Sequence, residues 1–313
     1  MRHETRPKVR REGRRGPGMT SVRLRLPATS ANLGPGFDSM ALALELFLEV
    51  EATPGAQFSI AATGRNANIC AGLNRNLLIQ TYESVLAEEQ RPVVSLAIKM
   101  HNEIPLGMGC GSSAAVRLAA IALANAFGEL GWDSARIVEK AARIEGHPDN
   151  AAACWYGGLA IAASSPTLAV VSVPPPPGWA ALVVLPEKPV ATAKARAVLP
   201  ELYSRHDAVA NVQAAALLSA AMILGRADLM PVASRDWLHQ PYRNELCPLL
   251  PALLPLAGSQ GILSVTLSGA GPAVLLLTAE QSPQQREQIA RLAETVCPVE
   301  ILSLPLCRHG AAG

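Results

Sequence analysis

Aromatic residues are scarce in this chain, with four each of Phe, Tyr and Trp, or 4% of the residues. A core of ordinary size must therefore be built from Ala, Val, Leu and Ile. Charged residues are also few, at 17%. The six cysteines, at 70, 110, 154, 247, 297 and 307, contain no C-x-x-C pair, which argues against a zinc or redox site and for reduced thiols. The N-terminus has no apolar h-region, so the expected compartment is the cytoplasm. Uninterrupted apolar runs long enough to cross a bilayer are also missing: Arg117 breaks the run after Ser113, and Gly and Pro interrupt the run around Leu267.

An excess of charge of one sign is lacking as well, because the formal net charge is +2. Residues 1–18 hold seven Arg or Lys against two Glu, which leaves twenty basic and twenty-three acidic residues beyond them. The body therefore has no field suited to nucleic acid, and no nucleic-acid or membrane partner is expected. The basic stretch 1–18 has almost nothing apolar to bury and reads as a disordered extension ahead of Met19.

At 313 residues, half of them hydrophobic, the chain is long enough for a sizeable core and for two domains. Residues 22–27 alternate apolar and basic and predict a half-exposed strand; 28–38 are dense in turn formers and predict a loop; 40–50 predict a strand. A short strand is expected at 58–62, a helix at 76–89 and a strand at 93–100. Helices are expected at 114–127 and 134–145, and a strand at 159–163. The prolines at 174–177 cannot continue a helix or sheet, and a domain junction is placed there, giving units 19–173 and 174–313. The second unit should carry strands at 181–185 and 273–278 and helices at 207–225 and 284–295. Strands and helices alternate without regular crossovers, so the predicted class is α+β.

The informative segment is Pro105-Leu106-Gly107-Met108-Gly109-Cys110-Gly111-Ser112-Ser113-Ala114-Ala115, a glycine-rich loop feeding a helix. Glycine lets backbone N–H groups approach an anion, and the helix N-terminus adds favourable partial charge. No Lys follows the last Gly, so the loop is not a Walker motif, and the glycine spacing fits a dinucleotide fingerprint poorly. A tight strand-to-helix turn is the other explanation open to such a loop.

The whole loop resembles the phosphate loop of the GHMP kinases. Two further segments agree in order: Pro27-Ala28-Thr29-Ser30-Ala31-Asn32-Leu33-Gly34-Pro35-Gly36-Phe37-Asp38 resembles the N-terminal motif of the homoserine-phosphorylating members, and Ser268-Gly269-Ala270-Gly271-Pro272 resembles the family's C-terminal glycine motif. The likeness extends through Glu145-Gly146-His147-Pro148-Asp149-Asn150, Val190-Ala191-Thr192-Ala193-Lys194-Ala195-Arg196 and His239-Gln240-Pro241-Tyr242-Arg243.

The resemblance implies a two-domain α+β fold with the active site in the interdomain cleft, and ATP held by the loop residues 105–115. It implies Mg²⁺ bound by Ser113 and Glu145, and an acceptor pocket of Asn32, Asp38, Asn150, Thr192, Arg196 and Arg243. Asp38 would hold an ammonium group and the arginines a carboxylate, with L-homoserine phosphorylated to O-phospho-L-homoserine on the way to threonine. It makes a homodimer plausible. Another GHMP kinase acting on mevalonate or a sugar, or a catalytically silent nucleotide-binding protein, are the alternatives. No Lys in the first three motifs supplies the Asp/Lys pair of mevalonate-type relatives, so direct attack by an aligned hydroxyl is the expected mechanism. His147 is read as structural. Cys110 and Ala191 depart from the usual Leu and Ser of the pattern.

The extension should be separable from the fold. A chain starting at Met19 is expected to keep the thermal midpoint and activity of the full chain; loss of either in a side-by-side melt and assay would make residues 1–18 part of the working protein.

Overall fold

The computed structural model describes residues 21–312, so the basic extension lies outside the described residues. In chain order the first half holds β1 (Val22–Asn32), β2 (Gly36–Pro54), β3 (Ser59–Gly64), α1 (Ala67–Ala71), α2 (Leu77–Glu88), β4 (Leu96–Asn102), α3 (Ser112–Phe127), α4 (Ser134–Glu145), α5 (Asp149–Tyr156), β5 (Leu159–Ala163) and β6 (Ala169–Val173). The second half holds β7 (Ala180–Pro186), α6 (Thr192–Ala197), α7 (Arg205–Leu224), α8 (Met230–Ala233), α9 (Gln240–Arg243), α10 (Leu249–Leu253), β8 (Ile262–Leu267), β9 (Val274–Thr278), α11 (Pro283–Glu294) and β10 (Val299–Pro305).

β1 and β2 form a long antiparallel hairpin. Val22, Leu24 and Leu26 point inward, while Arg23 and Arg25 face out and pair with Glu51 and Glu49 across the ladder. β4 and β5 also pair with β2, β3 runs parallel to β4, and β6 closes the sheet beyond β5. α3 and α5 lie on the inner face of this sheet. Ala115, Ala119, Ala120 and Ala124 of α3 are all fully buried, and their small side chains let the helix approach its neighbours closely enough to fill a core with few aromatics.

The second sheet has the order β10-β7-β9-β8 and is antiparallel throughout. Its alternation decides which core each side chain joins. Ala181, Val183, Leu275 and Leu277 join the core that includes α3 and the first sheet. Leu182, Val184, Val274 and Leu276 face the other way, against α10 and α11. The two halves thus share one continuous core. The chain end also returns to the first half: the backbone of Cys307 bonds Ala43 and Gly158, and Ala311 and Ala312 donate to Cys154 and Trp155.

Several sequence expectations need correction. The stretch 28–38 is not a loop, because β1 runs through Asn32 and β2 begins at Gly36. Only a tight turn separates them, with Asn32, Leu33 and Gly34 at positive φ. Pairing against Ala41–Leu44 overrides the turn-forming composition, since strand preference follows packing context. The strand expected from 93 starts at Leu96, and α5, β6 and β10 were not anticipated.

The expectation about spanning a bilayer concerned uninterrupted apolar runs, and Asp207, Asn211 and Gln213 do interrupt the one helix among the described residues that reaches the length needed. That helix, α7, is long and apolar enough by length and composition. Here its inner stripe, including Leu218, Ala221 and Met222, sits in the shared core, and Asn211 donates through Nδ2 to the Pro35 carbonyl at 2.8 Å. The opposite side is open, with Val212 68% and Leu224 72% exposed.

Leu118 of α3 lies fully buried where the helix meets the sheet. Leu118→Ala should therefore lower the unfolding free energy by about 2–5 kcal/mol, through lost transfer energy plus the cavity left behind. Denaturant titration measures it, and a change below about 1 kcal/mol would place Leu118 outside the tightly packed core.

Candidate active site

The phosphate-loop candidate sits where three chain segments converge. Gly107, Gly109 and Gly111 all have positive φ, at 70°, 83° and 70°. A Cβ on Gly109 would stand 2.1 Å from the Ser268 carbonyl oxygen, and one on Gly111 would stand 1.9 Å from the Thr29 hydroxyl. These contacts leave room for no side chain. Three successive loop carbonyls are engaged: Met108 accepts from the Ala273 amide at 3.3 Å, Gly109 from the Ser268 hydroxyl at 2.8 Å and Cys110 from the Thr29 amide at 3.1 Å. With its acceptors turned to protein, the loop offers its donor edge and the start of α3 to an anion. Cys110 is buried, and burial pushes its thiol up to about 12, so it serves the loop as a small apolar side chain.

At the start of α3, Ser113 Oγ donates to Glu145 Oε1 at 2.8 Å. Arg117, one turn further along, pairs with the same oxygen. The Glu145 side chain is only 10% exposed, and no hydrogen bond from the described residues reaches its Oε2. The sequence reading named Ser113 and Glu145 but did not see Arg117.

The acceptor-side residues come together from distant parts of the chain. Asn32 Nδ2 donates to the Gly269 carbonyl at 2.9 Å and its Oδ1 accepts from the Asp38 amide at 3.0 Å. The Arg196 guanidinium donates to both oxygens of Asp38, at 3.0 and 2.5 Å. Arg243 is 1% exposed, bonded to the Ala195 carbonyl at 3.0 Å and to His239 Nδ1 at 3.0 Å. Both guanidinium groups lie over the Phe37 ring, at 5.5 and 5.6 Å from its centre. Burial and the nearby Arg196 charge push the Arg243 pKa down from its usual value. Thr192 stands exposed at the first position of α6, and no hydrogen bond links it to the other candidates.

Asn150 lies one residue into α5, where its Oδ1 accepts from Thr29 Oγ1 at 2.6 Å. Its neighbour Asp149 is buried and accepts from His147 Nδ1 at 2.6 Å. Donor atoms of Asp38, His147 and Asp149 all fall within 4.8 Å of one another. Burial lowers the His147 pKa, but the Asp149 hydrogen bond and the Asp149 and Asp38 charges outweigh it, and the net shift is upward. Thr29, Phe37, Asp149 and Ser268 are thus site residues that the sequence reading quoted within motifs without assigning them a role. Position inside a motif was the only available signal.

The arrangement sets a glycine-rich loop and a helix N-terminus beside a pocket of paired opposite charges. The family model for the GHMP kinases N terminal domain matches residues 76–158, and that for the GHMP kinases C terminal matches 217–296. A homoserine kinase of Solibacter usitatus is 44% identical over 86% of this chain and 90% of its own length; one of Moorella thermoacetica is 37% identical over 92% and 98%. The chain belongs to the GHMP kinase family, among its homoserine kinases. The crystal structure of a homoserine kinase from Cytophaga hutchinsonii matches the fold with a TM-score of 0.77 at 24% identity, covering 93% of this chain and 96% of that one. A putative homoserine kinase from Listeria monocytogenes matches with a TM-score of 0.71 at 29% identity, covering 92% and 97%. A GHMP kinase transfers a phosphoryl group from ATP to a small-molecule alcohol.

Gly111→Ala should impair this kinase site directly. Its positive φ costs an L-residue roughly 1–2 kcal/mol, and the new methyl group would displace Thr29. A fall of at least about tenfold in kcat/KM for ATP is expected by steady-state kinetics; a variant with wild-type ATP kinetics would show that the loop adapts and that the close contact is unimportant.

Proposed function

We propose that the protein phosphorylates L-homoserine to O-phospho-L-homoserine with MgATP. The observation that carries the reading is the Asp38–Arg196 pair beside buried Arg243, because a free amino acid presents an ammonium and a carboxylate together. Asp38 would take the ammonium group, while Arg196 and Arg243 would take the carboxylate through their planar forks. Arg243 Nη2, which makes no hydrogen bond among the described residues, is the open end of its fork. Asn32 holds the Asp38 backbone in place and Asn150 faces the acceptor hydroxyl; Thr192 would reach the carboxylate from the α6 face that also bears Arg196.

Residues 105–115 would hold the phosphates through backbone amides. Ser113 and Glu145 suit a magnesium ion: a hydroxyl and a carboxylate 2.8 Å apart are hard oxygen donors, and Oε2 of Glu145 is uncommitted. Magnesium, when bound, supplies neutralisation of phosphate charge. The acceptor hydroxyl oxygen forms a bond to the γ-phosphorus, the bond from that phosphorus to the bridging oxygen breaks, its electron pair leaves with ADP, and the hydroxyl proton passes to a phosphoryl oxygen. Alignment by the pocket, rather than a side-chain base, lowers the barrier. This reading also takes the protein as a cytoplasmic enzyme of two units, 19–173 and 174–313, supported by its six free cysteines and near-neutral body. A homodimer is consistent with it.

An ADP-release assay across homoserine, mevalonate and galactose tests the acceptor, with homoserine expected to be preferred strongly. Arg196→Ala and Arg243→Ala should each weaken homoserine use by about one to two decades, as expected for loss of a ~1.5–3 kcal/mol charge-assisted bond, with little change in KM for ATP. An amino alcohol lacking the carboxylate should lose much less. Equal losses for both acceptors would remove the carboxylate role, and preference for mevalonate or galactose would replace the substrate.

A further inference from the structure

We propose that Thr29 and Asp149 are positioning residues that set which end of the Asn150 carboxamide meets the acceptor hydroxyl, and so tie acceptor alignment to the phosphate loop. The inference rests on the reading of the site as a kinase site with an alcohol acceptor. The two ends of a carboxamide have the same shape and opposite hydrogen-bonding character, so their orientation is decided by neighbours. Asp149 Oδ1 accepts from the Asn150 backbone amide at 2.6 Å and from Asn150 Nδ2 at 3.4 Å. Reversing the amide would set its oxygen against that carboxylate. On the other side, the Thr29 hydroxyl donates to Asn150 Oδ1 at 2.6 Å.

Both partners are themselves held. Thr29 is fully buried and Asp149 is 1% exposed. The Thr29 amide donates to the Cys110 carbonyl at 3.1 Å, and a Cβ on Gly111 would lie 1.9 Å from Thr29 Oγ1 and 3.2 Å from Asn150 Oδ1. The carboxamide therefore sits directly against the phosphate loop. His147 Nδ1 lies 2.6 Å from Asp149 Oδ1, and donor atoms of Asp38, His147 and Asp149 gather within 4.8 Å of one another. One hydrogen-bonded line thus runs from the loop backbone through Thr29, Asn150 and Asp149 to His147, which stands beside Asp38 of the charged pocket. A shift of the loop is carried to the amide that faces the acceptor, and neither Thr29 nor Asp149 touches the substrate. An amide so held can align a hydroxyl but cannot take its proton, which fits transfer by alignment.

Thr29→Val keeps the side-chain shape and removes only the hydroxyl. It should lower kcat roughly ten- to hundredfold, leave KM for ATP within about threefold, and leave the thermal midpoint near that of the wild type. ATP hydrolysed per acceptor phosphorylated should rise, because a misaligned hydroxyl competes less well with water. Thr29→Ser should regain most of the rate and the tight coupling. Asp149→Asn should uncouple in the same way, since an amide at 149 no longer fixes the polarity at 150; if that variant fails to fold, the Thr29 pair decides. A Thr29→Val enzyme with wild-type kcat and coupling, a Thr29→Ser enzyme as slow as the Val variant, or a loss matched by an equal rise in KM for ATP would overturn the proposal. The wild-type rate with homoserine is read first, and its absence would overturn the acceptor assignment alone. The Thr29 series, run with whichever alcohol of the panel is phosphorylated, tests the positioning independently.

Discussion

Three backbone segments meet at the phosphate loop at distances that exclude a side chain, and the geometry of the site depends on that approach. Gly109 lies against Ser268 of the C-terminal glycine motif, and Gly111 lies against Thr29 of β1. Because these neighbours also receive or supply the loop's hydrogen bonds, the carbonyls of Met108, Gly109 and Cys110 are all satisfied by protein. Buried carbonyls must find donors somewhere. Meeting that need with Thr29, Ser268 and Ala273 fixes which edge of the loop faces outward, and it is the donor edge. The proposed phosphate site would thus rest on backbone hydrogen bonding as much as on the identity of any side chain.

The same meeting point joins the two halves of the chain. Gly269 donates its amide to the Ala31 carbonyl and accepts from the Asn32 side chain, so the C-terminal motif is fastened to the end of β1, just before the turn that leads to Asp38. His239 supports the turn from the second half through Gly34, and burial lowers its pKa, so that the ring is favoured as a neutral group beside Arg243. α7 adds a further brace, since Asn211 holds the Pro35 carbonyl and accepts from the Trp237 amide. The acceptor turn is therefore held by elements from the whole second half, and the shared core makes independent motion of the two sheets costly.

Charge is distributed over the site by burial. Asp38 and Arg196 are partly exposed and pair with each other, whereas Arg243 and Asp149 are buried and must be satisfied from within. Arg243 is held by a carbonyl and a neutral histidine, and Asp149 by an amide, a carboxamide and His147. A buried ion without such bonds would be strongly unfavourable. In the proposed reading, a zwitterionic acceptor would replace the partly exposed Asp38–Arg196 contact with contacts of its own.

How much of this was legible beforehand depended on sequence distance. The glycine loop and the Ala-rich helix after it are local patterns that glycine freedom and helix propensity make legible, whereas Asp38, Arg196 and Arg243 were named only through the resemblance of their motifs to the family. Local composition misled where long-range pairing prevailed: residues 28–32 look like a loop yet complete a ladder with β2. The roles of Thr29 and Asp149 were invisible, because a threonine acquires a role only when an asparagine 121 positions away accepts its hydrogen bond. The sequence alone determined the inventory of donors, charges and glycines; the tertiary structure decided their partners, since a hydrogen bond reaching about 3 Å is specified only once the chain between its ends has folded.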